Sequence, residues 1–149
     1  MVGNQLCYED VKENMEIPQL EVLCDSLSQV KWAGVNKDYD PEHYDKDYAS
    51  SLGLSNCIVN GQFKTSLLTR MLLDWIGNDG SIQKLSCQHK KMDMVGEVIT
   101  FKGVVKGRIQ EGEDYLVDCE IWAENPKGEK TVLGSAVVAL PSRSRYSDV

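Results

Sequence analysis

The chain has 149 residues and a mass of 16.7 kDa, the size of one compact domain, and its 42% hydrophobic and 26% charged residues argue against a disordered tail or a fibrous repeat. Sixteen Lys and Arg against 23 Asp and Glu leave a formal charge of −7, and a pI near 4.8 argues against sequence-independent nucleic-acid binding, which needs a basic footprint on phosphates. No stretch approaches the roughly 20 apolar residues of a membrane-spanning helix, and the N-terminus, interrupted by Asn4, Glu9, Asp10 and Lys12, lacks a signal-peptide core, so a cytosolic location is expected.

In chain order, a strand is expected near Glu16 to Leu23, and short helices near Ser26 to Val35 and Lys46 to Leu52. Phe63, Leu67, Leu68, Met71, Leu72, Trp75 and Ile76 recur at helical spacing, with Lys64, Arg70 and Asp74 read as lying off that stripe. Gly77-Asn78-Asp79-Gly80 stops the helix. The pattern then changes to period two, rich in β-branched and aromatic residues, and predicts four strands: Ile82 to Met92, Glu97 to Ile109, Glu113 to Glu124 and Lys130 to Leu140. Tyr115, Val117, Cys119, Ile121 and Ala123 supply an apolar face, while Glu111-Gly112 and Asn125-Pro126-Lys127-Gly128 supply turns. Consecutive strands with tight turns give an antiparallel sheet, so the class is α+β with one long central helix against a sheet. Residues 1–141 are read as one domain and 142–149 as a polar C-terminal tail, expected to be disordered in part.

Five cysteines (Cys7, Cys24, Cys57, Cys87, Cys119) are odd in number, widely spread and without a C-x-x-C pair, so they read as free thiols and no metal site is expected. There are two histidines. His89 stands beside Lys90 and Lys91 in a polar strand and reads as a solvated surface residue. His43 lies in a short-helix-to-turn segment punctuated by Pro41, with Asp38 five residues before it. A proline-bent loop can bring a carboxylate and an imidazole around one small volume, which suits the addition or removal of water. The alternative is a capping loop in which Asp38 and Asp40 bond backbone amides and His43 is merely exposed.

The segment resembles the signature of the MaoC-like, or (R)-specific enoyl-CoA hydratase, family through Ala33, Asp38, Asp40, Pro41, His43, Asp45, Tyr48 and Ala49. Ile58-Val59-Asn60-Gly61 is similar to the step that opens the family's central helix, Met94-Val95-Gly96-Glu97-Val98-Ile99 to its strand-opening glycine-acid step, and Leu140-Pro141 to its usual end. The likeness runs from about Glu21 to Pro141 and implies a hotdog fold, a curved antiparallel sheet wrapped around one helix.

It also implies an activity: a hydro-lyase that adds water across a trans-2-enoyl-CoA to give a 3-hydroxyacyl-CoA, of R configuration, with no cofactor beyond the CoA thioester substrate. Asp38 and His43 would divide water activation from proton delivery to C2. Gly61 would donate its N–H to the thioester oxygen at the helix N-terminus. Asn60 and Thr69 are further substrate-side candidates. Lys90, Lys91, Arg143 and Arg145 are candidates for the CoA phosphates, since an acidic protein needs a local basic patch to hold a polyanion. The chain departs from the pattern at Asp40, Glu42 and Asn60, where asparagine, an apolar residue and histidine are usual. A charged Glu42 beside the pair is expected either to raise the pKa of His43 or to point to solvent.

Val59-Asn60 and Asp74-Trp75-x-Gly77 are more similar to the small MaoC-type subunits of steroid side-chain enoyl-CoA hydratases, which work beside a second, related chain. At least a dimer is therefore expected, with a second copy or a second MaoC-like chain covering the exposed strand edges and the acyl-CoA near the interface. Two other readings stand beside the hydratase: a hotdog acyl-CoA thioesterase and a non-catalytic acyl-CoA-binding subunit.

Overall fold

The computed structural model describes residues 5–146. After a short 3-10 turn at Tyr8–Asp10, the elements are β1 (Glu16–Leu23), α1 (Ser26–Asn36), a 3-10 turn at Pro41–His43, α2 (Lys46–Ser51), α3 (Gly61–Ile76), β2 (Ser81–His89), β3 (Val98–Glu111), β4 (Asp114–Glu124) and β5 (Lys130–Ala139). The strands form one sheet in the order β1-β3-β4-β5-β2, with every neighbouring pair antiparallel. The chain is α+β with the expected hotdog arrangement. Among the described residues, no helix is long and apolar enough to cross a membrane.

The sheet's inner face and α3 make one core. Alternation along β4 buries Val117, Cys119, Ile121 and Ala123, and β3 and β5 add Ile99, Phe101, Val105, Val132, Ala136 and Val138. Leu67, Leu68, Met71, Leu72 and Ile76 of α3 face them. Each such aliphatic side chain, fully buried, is worth about 1.5–3 kcal/mol, so the helix is held mainly by its stripe. Arg70 and Asp74 lie on the exposed side as expected, 3.5 Å apart. Lys64 does not. It is 2% exposed and belongs to the buried face, because its ammonium meets the Asp93 carboxylate at 2.7 Å.

Two glycines fit the sheet around Ile121. Gly103 of β3 and Gly134 of β5 are its register partners on either side. A β-carbon at Gly134 would stand 2.5 Å from the Ser86 carbonyl oxygen of β2 and 3.1 Å from the Ile121 side chain. Gly134→Ala is therefore expected to force β5 and β2 apart and to cost about 1–3 kcal/mol, the usual range for overpacking, read as a lower urea midpoint at unchanged m-value.

The edges of the sheet are β1 and β2. Pro18 is tolerated in β1 at the register shift between Ile17 and Leu20, where an edge strand need not donate to the ladder. Strand β2 stops at His89, three residues before the expected Met92. The reason is local: the N–H groups of Lys90 and Lys91 both donate to the Thr131 carbonyl, at 2.8 and 3.2 Å, and the chain then turns inward to bury Asp93. At the β4–β5 turn, Gly128 N–H donates to the Asn125 carbonyl at 2.9 Å, closing the four-residue turn that Asn125-Pro126-Lys127-Gly128 predicts.

Of the expected polar tail, Ser142–Tyr146 is tied down rather than loose. Ser142 Oγ donates to Glu9 Oε1 at 2.6 Å, Arg143 pairs with Asp10, and the Tyr146 hydroxyl bonds Asp79. Residues 147–149 lie outside the described residues. All five cysteines are free thiols as expected. Burial pushes the Cys24 and Cys119 thiols up to about 12, which leaves neither as a nucleophile.

Candidate active site

A cleft of about 730 Å³ opens at the N-terminal end of α3. Its lining includes Asp38, Glu42, His43, Asn60, Gly61 and His89. Three loop segments and the start of one helix therefore converge at one place, although Asp38 and His89 are far apart in sequence.

Asp38 is placed by the end of α1. The helix terminates at Lys37, which takes a left-handed conformation with φ of 57° and redirects the chain. Asp38 Oδ2 then accepts from Asn60 Nδ2 at 2.8 Å, and its Oδ1 lies 3.4 Å from the Asp40 N–H. His43 closes the 3-10 turn begun by Pro41, with Asp40 as its N-cap. The side chain is 11% exposed, and its Nδ1 lies 2.8 Å from the Ile58 carbonyl oxygen. A carbonyl can only accept, so Nδ1 carries a proton, and in the neutral ring Nε2 presents its lone pair. Ile58 N–H returns a bond to the Glu42 carbonyl at 3.1 Å, which pins the turn from both sides. Glu42 Oε1 approaches His43 Nε2 to 3.9 Å. The capping bonds and the buried imidazole, alternatives in the sequence, occur together here.

Asn60 is the hub. Its Oδ1 accepts from the Phe63 N–H at 3.1 Å, capping α3, and from Trp32 Nε1 at 3.2 Å. With two donors on that oxygen, the amide nitrogen must face Asp38, so the network assigns the orientation. Gln29, one of the buried residues of α1, accepts the Asn60 N–H on its Oε1 at 2.9 Å. The residue that departs from the family's usual histidine thus still donates to the Asp38 carboxylate. Gly61 follows as the first residue of α3, and its N–H is among the first-turn amides that no intrahelical carbonyl can reach. The helix dipole adds a preference for negative charge there.

A buried ionic cluster forms part of the cleft wall, which Lys64 lines. Lys64 Nζ donates to Asp93 Oδ2 at 2.7 Å and to the Lys91 carbonyl at 3.2 Å, and Thr131 Oγ1 donates to the same Asp93 oxygen at 2.7 Å. The Asp93 carbonyl accepts the Val59 N–H at 2.8 Å. The cluster therefore ties the first turn of α3 to the segment just before Gly61.

Other expectations fare differently. Lys90 and Lys91 do line the mouth of the cleft, with Lys91 ion-paired to Glu129. Thr69 does not line it: its hydroxyl donates to the Thr65 carbonyl of its own helix at 3.0 Å. Arg143 and Arg145 are likewise not among its lining residues, since Arg143 pairs with Asp10 and Arg145 belongs to a different cleft with Asp79 and Asp114. His89, read as a solvated strand residue, is exposed on one side but rests its ring against Gly61. Among the described residues no group of three or more His, Cys, Asp or Glu side chains is arranged to hold a metal ion.

The chemistry available is that of a basic imidazole nitrogen and a carboxylate beside an unpaired helix N-terminal amide. Comparison with known proteins places this arrangement in context. The chain is 23% identical over 139 residues to an (R)-specific enoyl-CoA hydratase of Rhodospirillum rubrum, spanning 91% of this chain and 92% of that protein. It is 25% identical over 127 residues to the 3-oxo-4,17-pregnadiene-20-carboxyl-CoA hydratase beta subunit of Mycobacterium tuberculosis, spanning 85% and 93%. Among solved structures, the (R)-hydratase from A. caviae involved in PHA biosynthesis superposes with a TM-score of 0.82 at 22% identity, covering 89% of this chain and 99% of that one. The family model of the MaoC like domain matches residues 12–121, a span that runs from before β1 into β4 and includes Asp38, His43 and Gly61. On that match the chain belongs to the MaoC-like domain family.

Proposed function

We propose that the protein hydrates trans-2-enoyl-CoA thioesters to (R)-3-hydroxyacyl-CoA, or catalyses the reverse dehydration. The observation that carries the reading is the placement of Asp38, His43 and the Gly61 amide around one cleft. Water bound between His43 Nε2 and Asp38 gives up a proton as its oxygen bonds to C3. The π electrons move toward the thioester, whose oxygen gains enolate-like charge beside the Gly61 N–H and the α3 dipole. A proton returned to C2 completes the addition, so the elements of water are conserved and no external oxidant or reductant enters.

The named substrates of the two relatives, an enoyl-CoA and a steroid carboxyl-CoA, both support a CoA thioester. Lys90 and Lys91 at the cleft mouth are suited to the CoA phosphates, with Asn60 acting through Asp38. The protein is proposed to work as at least a dimer. Among the described residues β1 and β2 each have a strand neighbour on one side only, α1 exposes Leu27, Val30 and Val35, and one relative is named as a beta subunit. A thioesterase relying on a carboxylate from the central helix is disfavoured, because the buried residues of α3 are Lys64, Leu67, Leu68, Met71, Leu72 and Ile76, and Asp74 faces solvent.

The test is an acyl-CoA panel from short linear enoyl chains to steroid carboxyl-CoA, followed by loss of enoyl absorbance and by release of thiol. Absorbance loss without thiol is the expected result. Thiol release would support the thioesterase, and binding without turnover would support an acyl-CoA-binding subunit. In the same assay Gly61→Ala is expected to fold, because its β-carbon would meet the His89 ring at an ordinary 3.4 Å. Its rate should fall about 10²-fold or more, since the new methyl group crowds the amide that the thioester oxygen must reach.

A further inference from the structure

The hydratase mechanism above needs Asp38 in one place, and the group that holds Asp38 is itself held. Asn60 Nδ2 donates to Asp38 Oδ2 at 2.8 Å. An amide can rotate about its side-chain bond, and turned over it would set its own oxygen against the carboxylate. Two donors on Asn60 Oδ1 oppose that rotation. One is the Phe63 N–H, at 3.1 Å, and the other is the Trp32 indole N–H, at 3.2 Å. We propose that Trp32 is a positioning residue of the site, which acts on Asp38 through the Asn60 amide.

This assignment rests on the acyl-CoA reading of the cleft, and its support is geometric. Gln29 and Trp32 stand three residues apart in α1 and therefore share one face of that helix. Both grip Asn60, which is buried: Gln29 Oε1 accepts its N–H at 2.9 Å, while Trp32 donates to its side chain. The Trp32 ring is braced in turn by Phe63, with centroids 5.6 Å apart and planes inclined at 56°, so the direction of the indole N–H is set by packing. The same helix ends at Lys37, immediately before Asp38. Helix α1 thus holds Asp38 twice, by the chain at its C-terminal end and by a hydrogen-bonded relay that runs from Trp32 through Asn60. Donation to Oδ1 also polarises the amide and strengthens the Nδ2 donor that Asp38 receives.

Trp32→Phe keeps an aromatic ring beside Phe63 and removes the N–H donor. A misplacement of about 1 Å at a reacting group costs up to about 10²-fold, and the Phe63 N–H still holds the amide in part, so kcat on the best enoyl-CoA of the panel is expected to fall about tenfold with little change in KM. In an Asp38→Asn background the same substitution should cost less than about twofold, because its effect passes through the group already removed. A merely structural role would cost the same in both backgrounds. Independently of turnover, the chain's three tryptophans give three indole N–H peaks in ¹H–¹⁵N spectra, which Trp75→Phe and Trp122→Phe assign by elimination. Asp38→Asn is expected to shift the Trp32 peak and to leave the other two in place. Full activity in Trp32→Phe, an equal loss in both backgrounds, or an unmoved Trp32 peak in Asp38→Asn overturns the proposal. A shifted Trp32 peak in a protein that hydrates no enoyl-CoA would uphold the relay while removing the hydratase reading, so the two failures are distinct.

Discussion

His43→Ala and Asp38→Asn are each expected to lower enoyl-CoA hydration by about 10²–10⁴-fold, the range that positioned acid–base groups contribute, while leaving the fold intact. His43 loses one bond to the Ile58 carbonyl, a net cost of about 1 kcal/mol, and the turn keeps its backbone bond from Ile58 to Glu42. Asparagine at position 38 can still present a carbonyl oxygen to Asn60 Nδ2, so the hub survives and only the negative charge is removed. In the proposed mechanism the two residues act on one water, and the double variant should therefore be little worse than either alone. Initial rates with circular dichroism alongside check this. Undiminished rates in both variants would remove the pair from the mechanism.

Lys64→Met is expected to destabilise the protein by about 3–5 kcal/mol, the cost of leaving one member of a buried ion pair without its partner. Asp93 is fully enclosed, its Oδ1 has no hydrogen-bond partner among the described residues, and only the Thr131 hydroxyl would remain to serve its Oδ2. The double change Lys64→Met with Asp93→Leu should recover most of the loss, because removing both charges also removes both desolvation costs. Urea midpoints of the single and double variants measure this. A single variant within about 0.5 kcal/mol of wild type would show that the cluster contributes nothing to stability. The expected consequence for the site is looser seating of Gly61, which follows Val59 and precedes Lys64 on either side of the clamp.

The fold was legible because its signals are periodic. Alternation in β4 and the spacing of Leu67, Leu68, Met71 and Leu72 report directly on which face is buried. Lys64 was misread for an instructive reason. It stands three and four residues before Leu67 and Leu68, on the stripe itself, and its charge alone argued for solvent. What neutralises that charge is Asp93, 29 residues away, and no local pattern announces such a partner.

The site divides in the same way. Asp38, His43 and Gly61, which a local motif singles out, line one cleft, whereas Gln29 and Trp32 act on Asn60 from 31 and 28 residues away. His89 was correctly placed in a polar strand, but its contact with Gly61 depends on how the end of β2 meets the start of α3. Thr69 shows the converse, since its hydroxyl finds a partner in its own helix turn. The partners of Ser142 and Arg143 are Glu9 and Asp10, at the opposite end of the chain, which no local pattern announces.

The most direct measurement is the mass of the product formed from a trans-2-enoyl-CoA in D₂O. Water addition through Asp38, His43 and Gly61 predicts a 3-hydroxyacyl-CoA carrying one carbon-bound deuterium, at C2, with the thioester intact. Unchanged enoyl-CoA, or a free acid with released CoA and no deuterium at C2, would contradict it.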